Sequence, residues 1–222
     1  MEKIKQDYIL IILNCYKYEY KRQLQIDTWL KNIPSQLKYF HIIGDKEKCG
    51  DKNFLFDTSN NILYTSTPDN YCSLPYKLIT ALNAIQNTYD YKCVFKTDDD
   101  QVLLRNGFFD ILISSLNKKL HDYGGYVCDV KKSHISQYWR KHSSLPRNYL
   151  MKKTKYCNGR FYLLSKKSIM ALLKNKYLFE KCPIEDHMVG FILTTKEKIV
   201  PHILPIDSNI FFQDIEDNIV LE

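Results

Sequence analysis

The run Tyr8-Ile9-Leu10-Ile11-Ile12-Leu13 is apolar at every position rather than at alternate ones. A strand with one solvated face alternates, so an unbroken run of this length reads as a first strand buried on both faces. Such a strand needs helices on either side, and the rest of the chain supplies them. Glu19 to Lys31 has Ile26, Trp29, Leu30 and Ile33 on one helical face, with Pro34 beyond its end. Leu37 to Ile43 returns as a strand closed by Gly44-Asp45, Phe54 to Phe56 reads as an edge, and Ile62 to Thr67 as a further short strand. Leu74, Leu78, Ala81, Leu82 and Ile85 are spaced as on a helix running from Leu74 to Tyr89. Asn106 is placed to cap a helix through Leu120 that turns Phe109, Leu112, Ile113 and Leu116 inward. Gly124-Gly125 opens a strand from Tyr126 to Val130, and Tyr156 to Leu164 reads as another. Ser165 caps a helix from Lys166 to Lys174, Glu185-Asp186 begins one carrying Met188, Val189, Ile192 and Leu193, and Ile199 to Ile206 is a last strand. Strands alternating with helices imply an α/β fold with a mainly parallel sheet covered on both faces. With no repeat, low-complexity tract or boundary, the 222 residues form one domain.

Chemistry is concentrated where Tyr91-Lys92-Cys93-Val94-Phe95-Lys96 runs into Thr97-Asp98-Asp99-Asp100. As a strand, Cys93 and Phe95 point one way, Val94 and Lys96 the other, and the acids fall at its carboxyl end, where α/β sheets bind ligands. Three adjacent carboxylates repel one another unless a cation or a set of donors holds them, and a divalent metal meets that need. A solvated acidic turn meets it as well, since Asp is a common turn residue.

The net charge of +7 is unevenly spread. Between Lys131 and Phe179 there are thirteen Lys and Arg and no Asp or Glu, so the rest of the chain is net −6. A one-sided basic stretch suits a polyanionic partner, such as nucleotide phosphates, an anionic acceptor or nucleic acid; a lysine-rich solvated surface is the alternative. Lys131 to Lys155, with Tyr138 and Trp139 at its centre, reads as a long loop. No run is long enough to span a membrane, and the amino terminus lacks the shape of a signal peptide. The seven cysteines form no CxxC pair and read as reduced thiols of a cytoplasmic protein.

Five segments in order, Arg22-Gln23-Leu24-Gln25-Ile26-Asp27-Thr28-Trp29, Asp69-Asn70-Tyr71-Cys72-Ser73-Leu74-Pro75-Tyr76-Lys77, Lys96-Thr97-Asp98-Asp99-Asp100, Tyr156-Cys157-Asn158-Gly159 with Leu163-Leu164-Ser165, and Glu185-Asp186-His187-Met188-Val189-Gly190, carry a likeness to a known family. Together they resemble the Galactosyl_T or Fringe-like β1,3-glycosyltransferases (glycosyltransferase family 31). The resemblance runs from the first strand to at least Leu193.

It implies a GT-A fold, with a donor-binding half at about 1–105 and an acceptor-side half at about 106–222. It also implies inverting transfer of a hexose or N-acetylhexosamine from a UDP-sugar to a glycan or glycoconjugate hydroxyl, with Mn2+ or Mg2+ as cofactor. By the family pattern Asp100 binds the metal directly and Asp98 helps through water or the ribose, while Asp99 sits by the donor or shapes the turn. Asp186 matches the family's base, with Glu185 as the fallback. Arg22, Asp69 and Lys77 are placed with the donor, where cations suit phosphates. His202 is the late histidine that completes the metal site in Fringe-like members, although it lies closer to the base motif than expected. Tyr138 and Trp139 fall on the acceptor side. Asn158-Gly159-Arg160-Phe161 departs from a run the family fills with glycines, which bears on pocket shape and donor choice. No Golgi anchor or stem precedes the motifs, which carries the expectation of a soluble microbial or viral type of enzyme. Three other readings stay open: a phosphate- or nucleic-acid-binding protein built on the basic stretch, although nucleic acid is not the expected partner; a glycan-binding relative without turnover; and a metal-dependent phosphotransferase.

Overall fold

The computed structural model describes residues 2–204 and 207–215. Its centre is an eight-stranded sheet. In chain order the strands are β1 (Tyr8–Leu13), β2 (Leu37–Gly44), β3 (Phe54–Asp57), β4 (Ile62–Thr65), β5 (Cys93–Asp98), β6 (Tyr123–Val130), β7 (Thr154–Ser165) and β8 (His202–Ile203). In space they lie in the order β8-β6-β7-β5-β1-β2-β4-β3. β3 and β7 run against the others; the remaining pairings are parallel.

β1 is central, and each of its residues is at most 2% exposed. Ile9, Ile11 and Leu13 face one apolar cluster, with the helices α2 (Leu74–Thr88), α4 (Lys166–Lys174) and α5 (Glu185–Gly190) contributing to it. Tyr8, Leu10 and Ile12 face a second, which takes in α3 (Phe108–Lys118), Trp29 and Leu30. β5 divides the same way: Cys93 and Phe95 join the second cluster, Val94 the first. The sheet is therefore covered on both faces, as an unalternating strand demands.

Several boundaries depart from the sequence pattern. α1 spans Glu19–Thr28, and a 3-10 turn carries Leu30 to Asn32. The expected face packs on the second apolar cluster, with Trp29 and Leu30 buried and Ile26 and Ile33 half-buried against it, and α1 also buries Lys21 and Gln25. Gln25 donates to the carbonyls of Asp98 (3.1 Å) and Gln101 (2.8 Å). Asn106 caps nothing; Gly107, at φ +88, occupies the N-cap position of α3. β6 starts at Tyr123, ahead of its two glycines, since Gly124 and Gly125 lie under Leu204 and Phe161 rather than in a turn. The expected last strand shrinks to His202–Ile203, and Pro205 and Ile206 lie outside the described residues, as does the acidic tail from Glu216. The basic stretch is not all loop: His134–Ile135 pairs with Leu150–Met151. A short helix, Lys46–Cys49, is capped by the Asp45 side chain, and Gln101–Leu103 pairs with Phe212–Asp214.

Candidate active site

A cleft of about 570 Å³ opens at the carboxyl ends of β1 and β5. Its walls come from α1 (Lys21), the Asp69–Leu74 turn, the Asp98–Asp100 turn, Gly159 of β7, and Glu185 and Asp186 at the start of α5. The register Leu13 opposite Asp98 sets the acids beside the end of β1, and the Asp99 N–H donates to the Leu13 carbonyl at 3.1 Å.

Gly159 joins the two halves. β7 slips register between Cys157 and Tyr162, so Asn158 to Arg160 leave the ladder. Such a bulge frees backbone groups and re-aims the chain. The freed Gly159 N–H donates to Asp186 Oδ2 at 3.0 Å, and its carbonyl accepts from Lys96 Nζ at 2.9 Å. A Cβ on this residue would lie 3.4 Å from Asp186 Oδ2, from Asp98 Oδ2 and from Lys96 Nζ alike. Asp98 and Asp186, 88 positions apart in sequence, thus face each other across one glycine.

Lys96 neutralises this junction. It is 1% exposed and pairs with Asp98 Oδ1 (2.7 Å) and Glu185 Oε2 (3.1 Å). Burial alone lowers the pKa of such an ammonium, but Asp98 and Glu185 outweigh it and raise the value, so Lys96 stays charged. Glu185 Oε1 accepts from the buried Tyr162 hydroxyl, which leaves Glu185 fully engaged. Burial also pushes the Asp186 carboxyl above its usual range, against the pull of Lys96 and of the His187 and Gly159 N–H groups. The helix start expected to favour the ionised form is outweighed by desolvation, and the result is a stronger base. Asp98 is pushed up to about 7 and Asp99 to about 8, by burial first; Lys96 opposes the rise at Asp98, while Asp100 reinforces both. Carboxylates held this far up, at Asp98 and Asp99, are relieved by a cation, and the adjacent Asp100 carboxylate lines the same cleft. Among the described residues no group of three or more His, Cys, Asp or Glu forms a ready cage. Hard divalent ions in phosphate sites take one or two carboxylates and fill the rest of the shell with phosphate and water, so two acids suffice.

The other residues singled out from sequence divide. Lys77, 1% exposed, donates to the Asn14 carbonyl (2.6 Å) and Asp69 Oδ1 (2.5 Å). Asp69 also accepts from the backbone N–H of Gly44 and Tyr16, so this pair fixes the cleft wall. Arg22 pairs with Glu19 at 2.8 Å and lines a separate pocket of about 110 Å³ beside Asn14 and Lys48. His202 packs against His121 at the far edge of the sheet, the two rings tilted by 40°, and is not brought to the cleft. Trp29 is core, stacked on Phe109. Tyr138 lines the cleft, whereas Trp139 lies against the guanidinium groups of Arg140 and Arg147. Lys21 and His142 are cleft residues the motifs did not single out, and Tyr71, which lies within the second motif segment, lines the cleft as well. Lys21 follows from helix geometry, since the residue next to Arg22 points about 100° away. The Tyr71–His142 stack, 4.1 Å between ring centroids, joins segments that sequence spacing cannot connect.

A galactosyltransferase family model matches residues 20–205, a range that contains all five motif segments and every wall of this cleft except the β1 end and its following turn. The chain belongs to the galactosyltransferase family. The GT-A type of α/β domain expected from the motifs agrees with that membership and with the mixed, mostly parallel sheet. Two solved structures are similar to this galactosyltransferase-family chain. One is a galactosyltransferase, LgtC, in complex with donor and acceptor sugar analogs, at 11% identity and TM-score 0.48, covering 87% of this chain and 72% of that one. The other is a 4-diphosphocytidyl-2C-methyl-D-erythritol synthase from Anaerococcus prevotii DSM 20548, at 12% identity and TM-score 0.49, covering 94% and 92%. No curated protein matches the sequence. Among the described residues no helix is long and apolar enough to cross a membrane.

Proposed function

We propose that this glycosyltransferase moves a hexose or N-acetylhexosamine from a UDP-sugar to a sugar hydroxyl, with a divalent metal, inversion at the anomeric carbon and a β1,3 linkage as product. The observation that carries the reading is the placement of Asp186 opposite Asp98 across Gly159. It puts a raised-pKa carboxylate on one side of a cleft whose other side suits a diphosphate and its cation.

Mn2+ or Mg2+, held by Asp100 and Asp98, would supply positive charge to the diphosphate leaving group. The chain's own residues do the rest. Asp186 takes the proton of the acceptor hydroxyl as that oxygen bonds to the anomeric carbon; the bond from that carbon to the diphosphate breaks, and its electron pair leaves with UDP. The N–H groups of Gly159 and His187 hold the two Asp186 oxygens in place, at 3.0 and 2.7 Å. His187 is itself fixed, its Nε2–H donating to the Lys152 carbonyl at 2.9 Å. Lys96 keeps Glu185 and Asp98 from repelling the reacting groups, and Lys21 brings a further cation to the donor side.

The test is UDP release from a panel of UDP-sugars with Mn2+ and with chelator. Metal-dependent release from one donor, lost in Asp100→Asn, supports the reading and names the sugar. Release that ignores both chelator and Asp100→Asn defeats it.

A further inference from the structure

The thirteen cations between Lys131 and Phe179 do not behave alike. Arg160, Lys166, Lys167 and Lys174 pair with Asp214, Asp90, Asp122 and Glu197, carboxylates from other parts of the chain. Lys131, Lys153 and Lys155 have no carboxylate within 4.0 Å among the described residues. With Lys198 they converge on a second concavity of about 590 Å³, which contains one acid, Asp129.

The walls of this concavity are fixed before anything binds. Thr154 Oγ1 is bonded to Thr195 Oγ1 at 2.9 Å, and Thr194 Oγ1 donates to the Lys155 carbonyl at 3.0 Å. Lys198 is held in the left-handed region, at φ +57, with its ammonium on the Thr195 carbonyl at 2.8 Å. A non-glycine residue in that region carries a backbone cost that the surroundings must sustain. Like charges gathered in a hollow repel one another, and an oxyanion relieves them while accepting their hydrogen bonds.

The hollow has a defined relation to the cleft. Both border the same rigid pair, β7 and the helix that begins with α5. From Asp186 to Thr194 the chain follows α5 and then a π-helical turn (Phe191–Lys196), at most about 12 Å at the α-helical rise. From Gly159 to Lys155 is four residues of strand, about 13 Å at 3.3 Å per residue. We infer that the Lys131–Lys153–Lys155–Lys198 hollow is an acceptor subsite for a phosphate group, carried on the acceptor about 12 Å from the hydroxyl that faces Asp186. The inference rests on the proposed transfer reaction and names the class of acceptor: a phosphate-bearing glycan.

Two measurements test it, on wild type and on the triple variant Lys153→Ala/Lys155→Ala/Lys198→Ala, none of whose positions touches the cleft. The first is calorimetric titration with inorganic tripolyphosphate, with chelator present so that the acidic turn keeps the polyphosphate out of the donor cleft. A Kd at least tenfold weaker in the variant, and weakened by salt in the wild type, is expected. The second compares a phosphorylated oligosaccharide acceptor with its neutral counterpart. The variant is expected to raise KM for the phosphorylated one alone, with kcat and UDP release unchanged. Equal tripolyphosphate binding by both proteins overturns the subsite. Lysine-dependent binding of anionic phospholipid vesicles or of a single-stranded DNA oligomer, without a difference between the two acceptors, overturns the acceptor assignment in favour of a membrane or nucleic-acid surface. UDP binding is titrated separately. Its failure beside lysine-dependent tripolyphosphate binding leaves the anion site standing and removes the transfer reading.

Discussion

Asp186 is held by two backbone N–H groups and no side-chain donor, so its basicity is set by burial and its aim by the backbone. Asp186→Asn keeps the shape and removes the proposed base. Transfer to acceptor is expected to fall by about 10²–10⁴-fold while UDP affinity is unchanged, as read by steady-state kinetics beside a UDP titration. An equal loss of both would make Asp186 a wall of the donor pocket rather than the base. His41 offers a test of a different kind. It is fully buried in β2, neither ring nitrogen has a hydrogen-bond partner among the described residues, and burial, aided by Arg22, pushes its pKa down to about 3. In the unfolded chain the value returns to about 6.5. Between those limits the unfolded state binds a proton that the folded state refuses, so stability is full above about pH 6.5 and falls with pH below it, by up to about 1.4 kcal/mol per unit. Unfolding free energies from urea titrations at pH 7 and pH 5 are therefore expected to differ less in His41→Leu than in wild type, by about 2 kcal/mol. A pH dependence that survives the substitution intact would put the proton elsewhere.

Among the elements, the contact between α5 and β7 is the one on which the site depends most. Gly190 ends α5 directly against β7: a Cβ there would lie 2.1 Å from the Tyr156 Cβ and 2.6 Å from its Cα. Neither atom can give way, because Tyr156 is fixed in the ladder opposite Cys128. Gly190→Ala must push α5 off the strand, with a stability loss of about 1–3 kcal/mol or more, as in other overpacked contacts. Since the same helix carries Glu185 and Asp186, activity should drop out of proportion to that loss; urea denaturation and UDP release measured on one preparation decide the point. A variant with wild-type stability would mean that the helix has room the structure denies. How far the elements were legible follows from the same contacts. The unbroken apolar run of β1 and the 2-residue alternation of Cys93, Val94, Phe95 and Lys96 encode burial directly, and both strands stand where the pattern put them. The apolar face of α1 was legible, but periodicity looks only for apolar faces and so missed that the helix also buries Lys21 and Gln25, the latter against the acidic turn. The register slip at Asn158 to Arg160 was unreadable, since it exists only because β7 threads between β5 and β6, strands paired from distant parts of the chain. The five motifs located Asp98, Asp100 and Asp186; only the fold shows that Gly159 and Lys96 bring them together, and that Arg22 and His202 stand apart from the cleft.

For the whole molecule, the cleft is assembled from the ends of β1 and β5, from α1, from the Asp69–Leu74 turn, from β7 and from α5, so no part of the chain can form it alone. A ligand that needs all of them binds the folded state and has nothing to bind in the unfolded one, and it must raise the temperature of unfolding. At one hundred times its Kd the gain is about 2.7 kcal/mol. In a chain of this size that corresponds to about 5–11 °C in Tm. UDP with Mn2+ is expected to give that shift. UDP with chelator should give much less, because the diphosphate then meets Asp98, Asp99 and Asp100 without a cation between them. Asp100→Asn should lose the part of the shift that depends on metal and keep its own unliganded Tm, since among the described residues the Asp100 side chain accepts only from Gln101 at the cleft rim. The triple lysine variant should keep the whole shift, because its positions border the other hollow. Scanning calorimetry of the three proteins, with UDP, with Mn2+ and with both, separates these terms. A shift from UDP that chelator leaves intact would move recognition of the diphosphate from the acidic turn to lysines that line the same cleft, such as Lys17 and Lys21.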